Sequence, residues 1–304
     1  MKKFDRLPPE QRKEGMRLRN RYYAARVEET AALIHRCGAE SLLSADPEML
    51  ARLTDLMNAA VLSLHILSDK KALELKPKLP QRVKDRDKQG QYTLMASAVR
   101  STNMDRYIQD FMQRKPNGIV VNLGCGLETT FFRNDNGKTL WYEVDLPEVI
   151  AYRRELLGES DRDRCIAGDG FSKEWMEEIR KDHPTEPILV TASGLFYYFE
   201  REKVLDLFAL LATYGEVEMV FDAVNSSGMK QMGKYMEQVG HADALMYFYV
   251  DSAKDVAEEV GGTVLAEEPY YAHTPKKGMQ FMTSVSMKVS DKFMMVKMIH
   301  LKLN

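Results

Sequence analysis

The hydrophobic pattern of the chain changes near residue 90. Before that point apolar residues recur at helical spacing. Met49, Leu50, Leu53, Leu56 and Met57 follow Asp46-Pro47, where Asp suits a helix cap and Pro the first helical position. Met16 to Cys37 is charged, Ala-rich and free of proline, and predicts an earlier helix. Lys76 to Gln91 is polar, with two prolines and a glycine, and reads as a linker or mobile loop. The expected organisation is a helical cap or lid over residues 1–90 and a core over residues 91–304.

From about Tyr92 short β-branched runs alternate with amphipathic stretches. Ile119 to Leu123, Thr139 to Val144, Arg164 to Ala167, Ile188 to Ala192 and Glu218 to Ala223 read as strands. Pro147 and Glu148 open a helix after the second, and Ser172 is the expected cap of a helix carrying Trp175, Met176 and Ile179. Val204, Leu207, Phe208 and Leu211 mark the buried face of another helix, which Gly215 is expected to end. Such alternation predicts a mostly parallel sheet covered on both faces. Thr263 to Ala266 and Met294 to Leu303 read as two closing strands. The loop between them, Pro269 to Gly278, is too short for a crossover helix, so the last strand is expected to be antiparallel.

Composition narrows the class. A net charge of −2 argues against a nucleic-acid-binding surface over the whole chain. The basic cluster Arg12, Lys13, Arg17, Arg19, Arg21 and Arg26 reads as a solvated helix face. Cys37, Cys125 and Cys165 are scattered, with no CxxC spacing, which argues against a disulfide framework and against zinc. The six histidines are dispersed, and no metal is expected. No apolar run reaches the ~20 residues of a membrane span, and MKKFDRLPPEQRKEG lacks a secretory stretch, so a cytoplasmic location is expected.

The chemistry concentrates in Val121-Asn122-Leu123-Gly124-Cys125-Gly126-Leu127-Glu128-Thr129, a strand running into Gly-x-Gly. Gly124 and Gly126 allow a tight turn and close approach of a ligand to the backbone. Asp145 stands at the end of the next strand, 19 residues after Gly126, where an acid accepts from ribose hydroxyls. A dinucleotide site wants a third glycine where this chain has Thr129, so the turn fits S-adenosyl-L-methionine (SAM) better than a pyrophosphate. Asp169 and Gly170, after the third strand, suit an adenine amino group and ring nitrogen. The alternative for Asp169 is an Asx turn. Arg100 offers a guanidinium for the methionyl carboxylate, or else an ion pair with Asp105 or Asp110.

These segments also carry a family resemblance. AVRSTNMD, VVNLGCGLETTFFR, WYEVDLPEVI, AGDGFSKEW and ASGLFYYFEREKV, in that order, with SDKKA at Ser68–Ala72 as a fainter match, resemble the leucine carboxyl methyltransferase family, which includes polyketide O-methyltransferases of the tetracenomycin type. The resemblance implies a Rossmann-like, seven-stranded class I SAM-dependent methyltransferase. It also implies Arg100 on the SAM carboxylate, Gly124 and Gly126 under the methionyl part, Asp145 on the ribose, and Asp169 with Gly170 at the adenine. The chain departs from the carboxyl-methylating members at Ser193, where they usually end the fourth strand with glutamate. A serine still offers SAM a hydrogen bond, without charge.

The expected reaction is methyl transfer to a carboxylate, phenol or alcohol oxygen of a small molecule. A carboxylate needs no base, whereas a hydroxyl is helped by one. Tyr197 and Tyr198, within Phe196 to Phe199, and Asp222 at the end of the fifth strand are the candidate acceptor-binding residues. At least two of those four aromatics are expected in the core. Tyr247 to Tyr249 and Tyr270 to His273 are further aromatic candidates, with His273 as a candidate base. A non-catalytic SAM-binding protein and an NAD-dependent oxidoreductase are the alternatives. The oligomeric state is not legible.

Overall fold

The computed structural model describes residues 67, 69–75, 91–231, 246–276 and 279–303. The chain divides between Ser68 and Asp69 into two units, and the second carries the sheet. The helices expected before Ser68, and the stretch from Lys76 to Gly90 expected to be mobile, lie outside the described residues.

The core alternates as its hydrophobic pattern predicts. In chain order the elements are α1 (Lys70–Leu75), α2 (Gln91–Arg114), β1 (Ile119–Leu123), α3 (Thr130–Asn134), β2 (Leu140–Asp145), α4 (Pro147–Leu156), β3 (Asp163–Ala167), α5 (Glu174–Asp182) and β4 (Ile188–Ala192). After a 3-10 turn over Phe196–Tyr198 come α6 (Arg201–Ala212), β5 (Val217–Val224), α7 (Ala253–Glu259), β6 (Thr263–Pro269), α8 (Phe281–Lys292) and β7 (Val296–Leu303). The sheet order is β3-β2-β1-β4-β5-β7-β6. Strands β1 to β5 pair in parallel, while β7 runs antiparallel to both β5 and β6. All positions of β1, β4 and β5 are buried, as central strands covered on both faces require.

Strand order reverses direction between β1 and β4, each of which pairs with the other. A crevice at the carboxyl ends of the strands is the ligand position of an open α/β sheet. The core beneath it is aromatic. Phe196 has ring contacts with Phe208, Phe221 and Phe248, at centroid distances of 5.3, 5.5 and 6.1 Å.

Three local expectations need correction. First, the expected loop from Pro269 is followed by a helix, α8, that is not among the elements expected between the closing strands. Its buried residues are Thr283, Met287 and Ser290, whereas Phe281, Met282 and Val289 are exposed, so its apolar positions do not trace its buried face. Strand β7 is antiparallel as expected, but loop length is not the reason. The helix returns the chain to the strand end it left, with Pro269 of β6 opposite Lys297 of β7. Second, the cap position of α5 is Lys173 rather than Ser172. Third, α6 closes at Thr213, and Gly215, at φ +86°, turns the chain into β5.

Candidate functional site

The first wall of the site is the turn after β1. Gly124 has φ +66° and Gly126 φ +49°, in the left-handed region that favours glycine. A Cβ added at Gly124 would stand 2.8 Å from Leu195 Cδ1. The amides of Gly124 and Cys125 both donate to Val144 O, at 2.8 and 3.3 Å, which carries the β1–β2 ladder into the turn. Asp145 completes it. Its Oδ2 accepts from the Gly126 amide at 2.8 Å and its Oδ1 from the Leu146 amide at 2.7 Å. The carboxylate is thereby fixed beside the glycine turn while remaining half-buried.

The turn is held from below by buried charge. Arg153 of α4 donates from Nη1 to Gly126 O at 3.2 Å and to Glu128 O at 2.7 Å. Its Nη2 lies 3.0 Å from Glu143 Oε1, and both side chains are wholly buried. Asn122 Nδ2 donates to the other oxygen of Glu143 at 3.0 Å. Burial pushes the Glu143 carboxyl up to about 8, with Arg153 pulling against it.

The next wall follows β3. The Gly168 amide donates to Asp145 O at 2.9 Å, joining the β2 and β3 ends. Asp169 is exposed, and its Oδ1 accepts from the Phe171 amide at 2.9 Å, the Asx turn weighed as the alternative. A Cβ on Gly170 would meet Leu123 Cδ1 at 2.9 Å, so the turn packs on the end of β1. Phe171 packs against Phe199 with centroids 4.3 Å apart and the rings tilted by 47°.

The third wall follows β4. Gly194, at φ +66°, donates its amide to Asp222 Oδ1 at 2.7 Å. Asp222 Oδ2 accepts from the Tyr197 hydroxyl at 2.8 Å and lies 2.9 Å from Arg100 Nε. Arg100 crosses the face of Gly194 so closely that an added Cβ there would stand 2.6 Å from its Nη1. Asp222 raises the Arg100 pKa further above its already high value. The Arg100 side chain is 33% exposed, with its Nε buried against Asp222. Ser193 Oγ donates to Glu128 Oε1 at 3.0 Å.

Arg100, Gly124, Gly126, Asp145, Asp169, Gly170 and Ser193 thus stand on the turns after β1 to β4 and on the adjoining helix α2. Arg100 pairs with Asp222, not with Asp105 or Asp110. Tyr197 and Asp222 depart from the expected acceptor wall. Both are 2% exposed, and Asp222 has its oxygens on Arg100, Tyr197 and Gly194. Of the four aromatics Phe196 and Tyr197 are core, whereas Tyr198 is exposed. Tyr270 and Tyr271 are buried too, with the Tyr270 hydroxyl on Ala96 O at 2.9 Å. His273 pairs with Glu268 at 3.3 Å, in a group with Arg106 and Tyr107.

Sequence reasoning missed Glu128, Arg153, Glu143 and Asn122. It also missed Asp69, whose Oδ2 accepts from Thr129 Oγ1 at 2.5 Å and Arg133 Nη1 at 2.6 Å, tying α1 to the residues after the glycine turn. Glu128 had a signal in its place directly after that turn. Arg153 and Glu143 sit in ordinary helix and strand patterns that give none.

A seven-stranded sheet of this order, with a glycine turn after β1 and an acid ending β2, defines a class I SAM-dependent methyltransferase fold. The family model of leucine carboxyl methyltransferase matches residues 21–212, and the chain belongs to that family. It is 33% identical over 100 residues to the tetracenomycin polyketide synthesis O-methyltransferase TcmP of Streptomyces glaucescens, covering 33% of this chain and 36% of that one. It is 23% identical over 193 residues to the S-adenosyl-L-methionine-dependent methyltransferase dpfgK of Gibberella zeae, covering 58% and 63%. The chain therefore spans less than two thirds of either relative. Among solved structures, a candidate methyltransferase from Thermobifida fusca shares the fold at TM-score 0.52 and 12% identity, covering 69% of this chain and 83% of that one. A DUF574 family protein from Streptomyces avermitilis shares it at TM-score 0.52 and 11% identity, covering 68% and 83%. Family and fold together give SAM as the cofactor.

Proposed function

We propose that this protein transfers the methyl group of SAM to an oxygen of a small-molecule acceptor. The observation that carries the reading is the placing of Asp145, locked by two backbone amides beside a glycine turn, with a part-exposed Arg100 at the same end of the sheet. An acid for ribose hydroxyls and a guanidinium for a carboxylate are the two polar groups a SAM site needs most. Gly126 leaves open space beside Asp145, with nothing within 4 Å of where its Cβ would stand.

The residues divide the work. Asp145 accepts from the ribose, and its fixed rotamer means little order is lost on binding. Asp169 and Gly170 meet the adenine edge, with Phe171 as an apolar wall. Arg100 takes the methionyl carboxylate, aimed by Asp222, which Tyr197 and Gly194 hold in place. Bound there, SAM supplies a methyl group already activated on a sulfonium. The chain's remaining task is to place the acceptor oxygen in line and keep water out.

The acceptor side is aromatic. Tyr198, Tyr247 and Tyr249 are exposed, and the Tyr247 amide donates to Tyr197 O at 2.8 Å, so the second aromatic segment lies along the turn after β4. This supports a planar, polyketide-like acceptor with a phenol, alcohol or carboxylate oxygen.

Calorimetry with SAM and S-adenosylhomocysteine (SAH), followed by a radiolabelled-methyl screen of phenols and carboxylates, tests the reading. Micromolar SAH binding and label on an oxygen are expected. Label on nitrogen or carbon would refute the acceptor atom. SAH binding with no transfer to any compound would favour a non-catalytic SAM-binding protein.

A further inference from the structure

Glu128 and Arg100 both reach the Ser193-Gly194 turn. Ser193 Oγ donates to Glu128 Oε1 at 3.0 Å, and Arg100 Nη1 packs on the face of Gly194. The glutamate is held on its other side too, since Thr130 Oγ1 donates to Oε2 at 3.0 Å. Its backbone is pinned by Arg153 at 2.7 Å. Each carboxylate oxygen has thus accepted one hydroxyl and keeps a second lone pair. Among the described residues Glu128 forms no ion pair, although its side chain is half-buried.

A guanidinium and a carboxylate meeting at a two-residue turn complement an α-amino acid end group, whose own carboxylate and ammonium are attached to one carbon. Resting on the cofactor reading above, we infer that Glu128, seated by Ser193, binds the methionyl ammonium of SAM while Arg100 binds its carboxylate. The charge missing at the end of β4, where this chain has Ser193, is supplied from the turn after β1. The serine acts as the post that aims it. A carboxylate here also carries a second consequence. It favours a cofactor bearing a free ammonium over one bearing only the carboxylate.

The test compares SAH with its analogue that lacks the amino group but keeps the carboxylate, by calorimetry on the full chain. Wild-type protein should bind the analogue about 10–100-fold more weakly than SAH, the range of a charge-assisted hydrogen bond. Glu128→Gln should lose most of that preference by weakening SAH alone, with the analogue's affinity held within about twofold. Ser193→Ala should lose part of it in the same sense. Equal weakening of both compounds in Glu128→Gln would overturn the assignment in favour of a structural role. If the variant does not fold, the wild-type comparison still decides: equal affinity for SAH and the analogue overturns the assignment. Wild-type protein that binds neither compound would instead overturn the cofactor reading itself.

Discussion

Replacing Asp222 by Asn keeps the side chain's shape and removes its charge. In the native site Oδ1 accepts from the Gly194 amide, and Oδ2 accepts from Tyr197 while facing Arg100. An amide has one oxygen for these donors. With the oxygen toward Gly194, the new NH2 faces Arg100 Nε, and only the Tyr197 hydroxyl can turn to accept from it. With the oxygen toward Arg100, the NH2 confronts the Gly194 N–H. Either way two buried N–H donors are set against each other with no acceptor between them, at about 1–3 kcal/mol. Loss of the counter-charge adds less than the full cost of a broken buried pair, because Arg100 is a third exposed and water screens it. Together these predict roughly 2–4 kcal/mol of destabilisation. Arg100 also loses the partner that aims it, so SAH should bind about tenfold more weakly, with binding of the amino-free analogue reduced equally. Urea unfolding and calorimetry read the two effects. Stability within about 0.5 kcal/mol of wild type would refute the opposed-donor argument. Unchanged SAH affinity would refute the claim that Asp222 works through Arg100.

Asp145→Ala should weaken SAH binding by about 1–3 kcal/mol, since ribose hydroxyls are left unpaired; equal calorimetric affinity would remove Asp145 from the site. Glu218 is a pH prediction. Burial works to raise its carboxyl, but Arg114, at 2.9 and 2.8 Å, and His300, at 2.7 Å, outweigh it and hold the group down at about 2. A depressed carboxyl stabilises above its unfolded pKa, and the gain is lost as pH falls through the folded value. Acid titration of wild type should therefore lose roughly 3 kcal/mol between about pH 4.5 and 2 that Glu218→Gln does not lose, and superimposable curves would refute the coupling. Met294 sits at φ +49° where α8 ends, a non-glycine in the left-handed region. Met294→Gly should raise stability by about 0.5–1 kcal/mol, read as a higher Tm, and a lower Tm would show that packing of the side chain outweighs the strain.

What could be read in the sequence was whatever repeats or interrupts a period. Strands β1, β4 and β5 were legible because full burial on both faces leaves nearly unbroken apolar runs, Gly124 and Gly126 because they stand where the β1 run stops, and Asp145 because it ends β2. Helix α8 was not, since it buries Thr283 and Ser290 and exposes Phe281 and Met282. The charged supports were illegible for a related reason. Glu143 lies in a strand and Arg153 in a helix, where a charged residue type by itself reads as solvent-facing, and only tertiary pairing allows both to be wholly buried. Tyr197 and Asp222 show the same limit from the other side. Their type and position at strand ends suit acceptor contact, yet their atoms face each other and Arg100. Residue type and strand-end position locate a site. Whether a polar group touches the ligand or holds the group that does is decided by where its hydrogen bonds already go.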